Sequence, residues 1–176
     1  MIAKQGRLQG KNIEYLGWER FDKEVGRSPA RDVLRGKAPP MHQDLLLVPC
    51  NPRGSQHWFL LAVVPKKHQI LVLDSLAGEF VKPTAKRAVA KMWMLLEELD
   101  RNISVNQWSC YSSKPIDIPQ QQNDYDRGVF RGMYARTLAL QHPMPSDIPN
   151  FRQVMILELH QGTLQNLDTK MRDALC

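Results

Sequence analysis

Four short blocks carry side chains suited to chemistry: His57-Trp58, Leu73-Asp74-Ser75-Leu76, Pro119-Gln120-Gln121-Gln122-Asn123 and Asp126-Arg127-Gly128-Val129-Phe130. An imidazole transfers protons near neutral pH, a carboxylate can hold such a ring in one tautomer, and a carboxamide can donate a hydrogen bond to an oxyanion. Each block also has an ordinary structural explanation. A histidine opening a strand is usually hydrogen-bonded for structure alone, and an aspartate can simply end a strand at a turn. Three successive glutamines can form a polar loop, and Trp58 can pack into the core.

Short strands and amphipathic helices are the elements that must position these residues. Leu45 to Pro49, His57 to Val64 and Gln69 to Asp74 read as strands, with the turn Pro65-Lys66-Lys67-His68 making the last two a hairpin. Their apolar runs are nearly continuous, which predicts a sheet covered by helices on both faces. Between Pro83 and Asp100, the residues Ala85, Ala88, Val89, Met92, Leu95, Leu96 and Leu99 recur every three or four positions, the signature of one helical face. A second helix is expected from near Arg127-Gly128 through Val129, Met133, Tyr134 and Leu138, stopping before His142-Pro143. A third is expected from Asn150, with Gln153 as a capping-box partner, through Val154, Leu157 and Leu159. There is no internal repeat and no low-complexity segment.

At 176 residues, 43% of them hydrophobic and 24% charged, the chain fits one core. Residues 1–40 are polar and punctuated by glycine, with Trp18 and Phe21 as their large aromatics, and read as a basic extension or incomplete edge to a domain at 41–176. The net charge of +6 is concentrated there, where nine Lys/Arg face five Asp/Glu. Those charges are mixed rather than blocked, so a solvated leader is expected and nucleic acid is not the expected partner. The longest apolar runs, Leu45 to Val48 and Phe59 to Val64, fall far short of the roughly 20 residues that cross a bilayer, and the first residues lack a signal-peptide h-region. An intracellular location, nuclear or cytoplasmic, is the expectation, with no membrane contact. Three cysteines, Cys50, Cys110 and Cys176, without CxxC spacing argue for reduced thiols rather than disulfides or zinc, so no metal and no cofactor are expected.

Taken in order and at their spacing, the four blocks resemble the ubiquitin-like-protein protease family, which includes the sentrin/SUMO-specific proteases. There the pattern is His-Trp, Leu-Asp-Ser, Pro-Gln-Gln-x-Asn and Asp-Cys-Gly-Val-Phe, and the match runs from about residue 44 to residue 160. The resemblance implies an α/β (α+β) fold of the papain-like type, a central mixed sheet flanked by helices. It implies a cysteine protease that cleaves SUMO or another ubiquitin-like protein from its precursors and conjugates. His57 would be the general base, Asp74 the residue that orients it, Gln121 an oxyanion donor, and residue 127 the nucleophile with a backbone N–H as second donor. Trp58 would wall a narrow channel for the substrate's Gly-Gly tail, next to Gly128.

Arg127 departs from that pattern. A thiolate is favoured at a helix start beside an imidazolium, but a guanidinium stays protonated and forms no thioester. The chain as written is therefore expected not to cleave through this position, leaving either an inactivated protease domain or a pseudoprotease that binds a modifier or protein partner. A cation at a helix N-terminus opposes the macrodipole by about 0.3–1 kcal/mol, so Arg127 needs a partner, for which Asp126 and Asp74 are candidates. Neither Cys50 nor Cys110 is expected to open a helix facing His57. The family's leading Trp-Leu-Asn/Asp segment has no clear equivalent in residues 1–40, and Trp18 in Leu16-Gly17-Trp18-Glu19 is a poor match to it.

Overall fold

Three apolar runs make the centre of the sheet: β2 (Leu45–Cys50), β3 (Phe59–Val64) and β4 (Gln69–Leu73), paired antiparallel in sequence order. The computed structural model describes residues 10–52, 57–76, 83–112, 118–123, 125–141 and 148–161. Two short strands complete a mixed five-stranded sheet in the order β1-β2-β3-β4-β5: β1 (Ile13–Tyr15) lies parallel to β2, and β5 (Ser109–Ser112) parallel to β4.

Alternation along β2 divides the core. Leu46, Val48 and Cys50 join one cluster with α1 (Trp18–Glu24), α2 (Ala30–Leu34) and α3 (Pro83–Leu99), whereas Leu45 and Leu47 join the other, with α4 (Arg127–Leu140) and Phe151 of α5 (Ile148–Gln161). Residues i and i+2 share a face, so both faces of the sheet are covered, as the unbroken apolar runs require. In α3 the predicted face is buried at Ala85, Ala88, Met92, Leu95 and Leu96, with Val89 and Leu99 half-buried against the same cluster.

The N-terminal segment contributes to the core. Residues 1–9 lie outside the described residues, but from Ile13 onward the chain belongs to the core: Ile13, Leu16, Trp18, Phe21, Val25, Ala30, Val33 and Leu34 are all buried. Trp18 and Phe21 are three residues apart on α1 and face the sheet together, their rings 5.8 Å apart. α2 stops where Arg35 and Gly36 turn left-handed, with φ of 48° and 75°.

At the outer edge, β1 closes itself. Leu16 N–H donates to the Leu47 carbonyl at 2.9 Å, so Tyr15 between the pairing residues points its backbone outward. Its N–H donates to Glu14 Oε1 at 3.0 Å and its carbonyl accepts Lys37 Nζ at 2.6 Å, while Lys37 also pairs with Glu14 at 2.5 Å.

α5 also differs from its expectation. It starts at Ile148 rather than Asn150, so Asn150 lies inside the helix and is not its cap; Leu157 and Leu159 are exposed, at 54% and 67%. Glu158 between them is buried, paired with Arg136 of α4 at 2.9 Å from both Nε and a terminal nitrogen. That inward ion pair fixes the rotation of α5 and turns its neighbours outward. No helix among the described residues is long and apolar enough to cross a membrane.

Candidate active site

His57 and Trp58 lie just before β3, Asp74 just after β4, and the two strands are adjacent, with Leu60 opposite Leu73. This register brings the imidazole to the carboxylate: His57 Nε2 is 2.7 Å from Asp74 Oδ2. Asp74 Oδ1 accepts the Leu76 N–H at 2.9 Å, so both carboxylate oxygens are engaged within one strand-to-turn segment. Since a carboxylate only accepts, His57 Nε2 is the donor in this contact, which turns Nδ1 away from Asp74. The ring stacks on Phe59 at 6.3 Å, which restrains it from below.

The glutamine loop is tied to the same turn. Gln121 N–H donates to the Ser75 carbonyl at 2.9 Å, and Ser75 Oγ donates to Gln121 Oε1 at 2.6 Å. Gln121 Nε2 donates to the Asn123 carbonyl, which can only accept, so the orientation of the carboxamide is determined. One N–H of that amide is thereby used and the other is left for a second acceptor. His57, Asp74 and Gln121 are all buried, at 9%, 6% and 7% exposure.

Asn123 joins the loop to α4. Its Oδ1 accepts the N–H groups of Tyr125 and Asp126 at 3.1 and 3.0 Å, an Asx-type turn, and its Nδ2 donates to Asp126 Oδ2 at 2.6 Å. The Asp126 carbonyl then accepts the Phe130 N–H at 3.0 Å, closing the first turn of α4. Asp126 does not cap that helix with its side chain; instead its carboxylate takes Asn123 and Arg152 of α5. The Asn123 hydrogen bond, together with Arg152, holds the Asp126 carboxyl below the usual range. Further along α4, Tyr134 donates to the Pro119 carbonyl at 2.5 Å, and burial raises its phenol pKa, keeping the group a donor.

Arg127 is the first residue of α4, as the sequence predicts. Of the two carboxylates expected near it, Asp74 contacts His57, and Asp126 contacts Asn123 and Arg152. A Cβ at Gly128 would meet no atom within 4 Å, so the second position of the helix is open. Four residues beyond Arg127, Arg131 places its guanidinium carbon 4.2 Å from the centre of the Trp58 ring, which brings the first turns of α4 against the His57-Trp58 segment. Trp58 and Trp18 both line a cavity of about 890 Å³. Cys50 is fully buried and burial raises its thiol far above the ordinary value, whereas Cys110 is exposed on β5.

The structure thus assembles His57, Asp74, Gln121 and the start of α4 around one strand end, with Trp58 alongside. Sequence reading missed Ser75, Arg131 and Arg152 as supports. An Asx turn at Asn123 was detectable from the residue type, but Arg152 contacts Asp126 only through the packing of α5 on α4.

A sheet with helices on both faces, carrying a His–Asp pair at one strand end opposite a helix start, is the architecture of papain-like cysteine proteases. Residues 19–172 match the Ulp1 protease family, C-terminal catalytic domain, and the chain belongs to this family. It is 32% identical over 131 residues to sentrin-specific protease 2 of Pongo abelii, covering 69% of this chain and 21% of that protein. The ubiquitin-like-specific protease ESD4 of Arabidopsis thaliana is 36% identical over 93 residues, covering 52% of this chain and 18% of that protein. The chain thus spans about a fifth of the length of these two curated relatives. Among solved structures, the catalytic domain of the Ulp1-like SUMO protease of Chaetomium thermophilum superposes with a TM-score of 0.73 at 22% identity, covering 96% of this chain and 70% of that one. The yeast Ulp1 protease domain in complex with Smt3, the yeast ortholog of SUMO, gives 0.67 at 19% identity, covering 85% and 67%. These two share the fold.

Proposed function

We propose that the chain is a SUMO-type cysteine protease domain that recognises a ubiquitin-like modifier but is blocked at the bond-cleaving step by Arg127. The observation that carries this reading is the 2.7 Å contact of His57 Nε2 with Asp74 Oδ2 in a family member whose α4 begins at residue 127. In this reading His57 is the base, Asp74 its orienting residue, and Gln121 the side-chain donor to the oxyanion. Trp58 and Gly128 border the path of the modifier's Gly-Gly tail. The partner is SUMO or another ubiquitin-like protein and its conjugates, met inside the cell in the nucleus or cytoplasm.

With a thiol at position 127, each step is supplied. His57 Nδ1 takes the thiol proton, the thiolate attacks the carbonyl after Gly-Gly, and the oxyanion accepts hydrogen bonds from Gln121 Nε2 and the backbone N–H of residue 127. The leaving amine takes the proton from His57 as the thioester forms, and water, deprotonated by His57, then releases the modifier with a free carboxylate. The protonated Arg127 guanidinium offers no nucleophilic lone pair and cannot accept the acyl group as a thioester, so the sequence stops before the first step.

Cleavage of a SUMO precursor is measured before and after Arg127→Cys, alongside titration of labelled SUMO into the unmodified protein. Turnover only in Arg127→Cys supports the blocked protease. Binding without restored turnover favours a pseudoprotease acting as a binding module. A folded protein that neither binds nor cleaves any of several modifiers rules out the reading.

A further inference from the structure

Asp74 and Ser75 are successive residues directly after β4, and their side chains serve different partners. Asp74 Oδ2 takes His57 Nε2 at 2.7 Å, whereas Ser75 Oγ donates to Gln121 Oε1 at 2.6 Å. Ser75 is 2% exposed, so its hydroxyl is not shared with bulk water. Of the three successive glutamines, Gln121 is the one drawn inward. Gln120 and Gln122 are exposed, and Gln120 Nε2 donates within its own loop to the Ile118 carbonyl at 3.0 Å.

The two ends of the Gln121 carboxamide are pinned by chemically different groups. The Asn123 carbonyl only accepts, which fixes the nitrogen end, and the Ser75 hydroxyl donates at the oxygen end. Two pins on one planar group restrain rotation about its last bond, so the second N–H of the amide has a fixed heading. The loop itself is held separately, by the Gln121 N–H donating to the Ser75 carbonyl at 2.9 Å. Residue 75 thus attaches the loop through its backbone and aims the amide through its side chain. Without the hydroxyl, Oε1 would lose its donor inside the protein, a cost that the carboxamide reduces by swinging away.

We propose that Ser75 is a positioning residue whose hydroxyl aims the Gln121 carboxamide, so that one residue of the turn orients the base and the next orients the oxyanion donor. The inference rests on the proposed assignment of Gln121 to the oxyanion, but the clamp consists of hydrogen bonds already made and needs no thiol at position 127. A donor stabilises an oxyanion most when it is in place before the charge develops. Aiming therefore acts on the chemical step and leaves affinity for the modifier unchanged.

Side-chain amide resonances in a proton–nitrogen NMR spectrum of the unmodified protein report the clamp directly, the Gln121 pair being identified by its loss in Gln121→Ala. Ser75→Ala is expected to speed exchange of this pair with water roughly tenfold, the scale of one hydrogen bond, and to narrow the separation of its two proton shifts. In an Arg127→Cys protein, Ser75→Ala is expected to lower kcat roughly tenfold with KM within about twofold, and Gln121→Ala to lower kcat roughly 10²-fold. Adding Ser75→Ala to Gln121→Ala is then expected to lower kcat no further, because one residue acts only through the other. A serine that merely stabilised the fold would lower it in both backgrounds. Should Ser75→Ala lose spectral dispersion, Ser75→Cys, whose thiol is a weaker donor, is expected to move the same resonances in the same direction. An Arg127→Cys protein without turnover defeats the protease assignment and leaves the amide resonances to decide on Ser75. Unchanged exchange and shifts in the Ser75 variant overturn the proposal, as do losses from Ser75→Ala and Gln121→Ala that multiply in an active Arg127→Cys protein.

Discussion

The two halves of the candidate site differ in what holds them. On the strand side, hydrogen bonds of 2.6–2.9 Å join His57 to Asp74, Leu76 to Asp74 and Ser75 to Gln121, all within the strand ends and the glutamine loop. On the helix side, the start of α4 is placed from outside, by Asn123 and Arg152 through Asp126 and by Glu158 through Arg136. The contrast teaches that the arrangement needed for cysteine-protease chemistry is a property of strand register and helix packing. In the proposed reading, a change at position 127 alters the reacting position without breaking any of the hydrogen bonds named above.

Four experiments break or sharpen this contrast. If the strand side alone is competent once a thiol is supplied, His57→Ala in an Arg127→Cys protein is expected to lower turnover by about 10³-fold, and Asp74→Asn by about 10²-fold or more. Release of a fluorophore from a modifier C-terminal conjugate measures both. If the helix side is placed by its packing, Glu158→Ala removes the carboxylate that pairs with the buried Arg136 and is expected to cost about 3 kcal/mol in urea unfolding. Equal losses of stability from His57→Ala would erase the distinction.

The third test uses acid. Asp126 has a folded pKa below its unfolded value of about 3.9, so its contribution is fully present above that value and is lost as the pH falls through the folded pKa. Arg152 stays protonated throughout. Asp126→Asn is expected to cost about 1 kcal/mol at pH 7, discounted because Arg152 is half exposed, and to flatten the thermal-melt profile below pH 4. The smallest effect belongs to residue 127 itself: Arg127→Gln, which removes a cation from the helix N-terminus, is expected to change stability by no more than about 1 kcal/mol, a shift of about 3 °C or less in Tm.

Legibility in the sequence followed the same division. β2, β3 and β4 stand out as apolar runs and α3 as a periodic face, so the sheet and its covering helices could be anticipated. His57, Asp74 and Arg127 lie at or next to the ends of such elements, whereas Gln121 lies in a loop and is picked out only by the family motif. β1, α1 and α2 were missed because glycines and charges interrupt their apolar positions; Trp18, Phe21 and Val25 make a stripe too short to be distinctive. β5 reads Ser-Cys-Tyr-Ser, with no alternation, and exists because β4 offers it an edge. The orientation of α5 was misjudged because the buried Arg136–Glu158 pair puts a charge where hydropathy expects leucine.

The outermost rung of the sheet has a consequence for assembly. Glu14 and Lys37 already occupy the backbone groups that Tyr15 turns toward solvent. A strand arriving from another molecule would have to evict a salt link before making its first ladder bond, and fibre-like growth along that border is thereby discouraged.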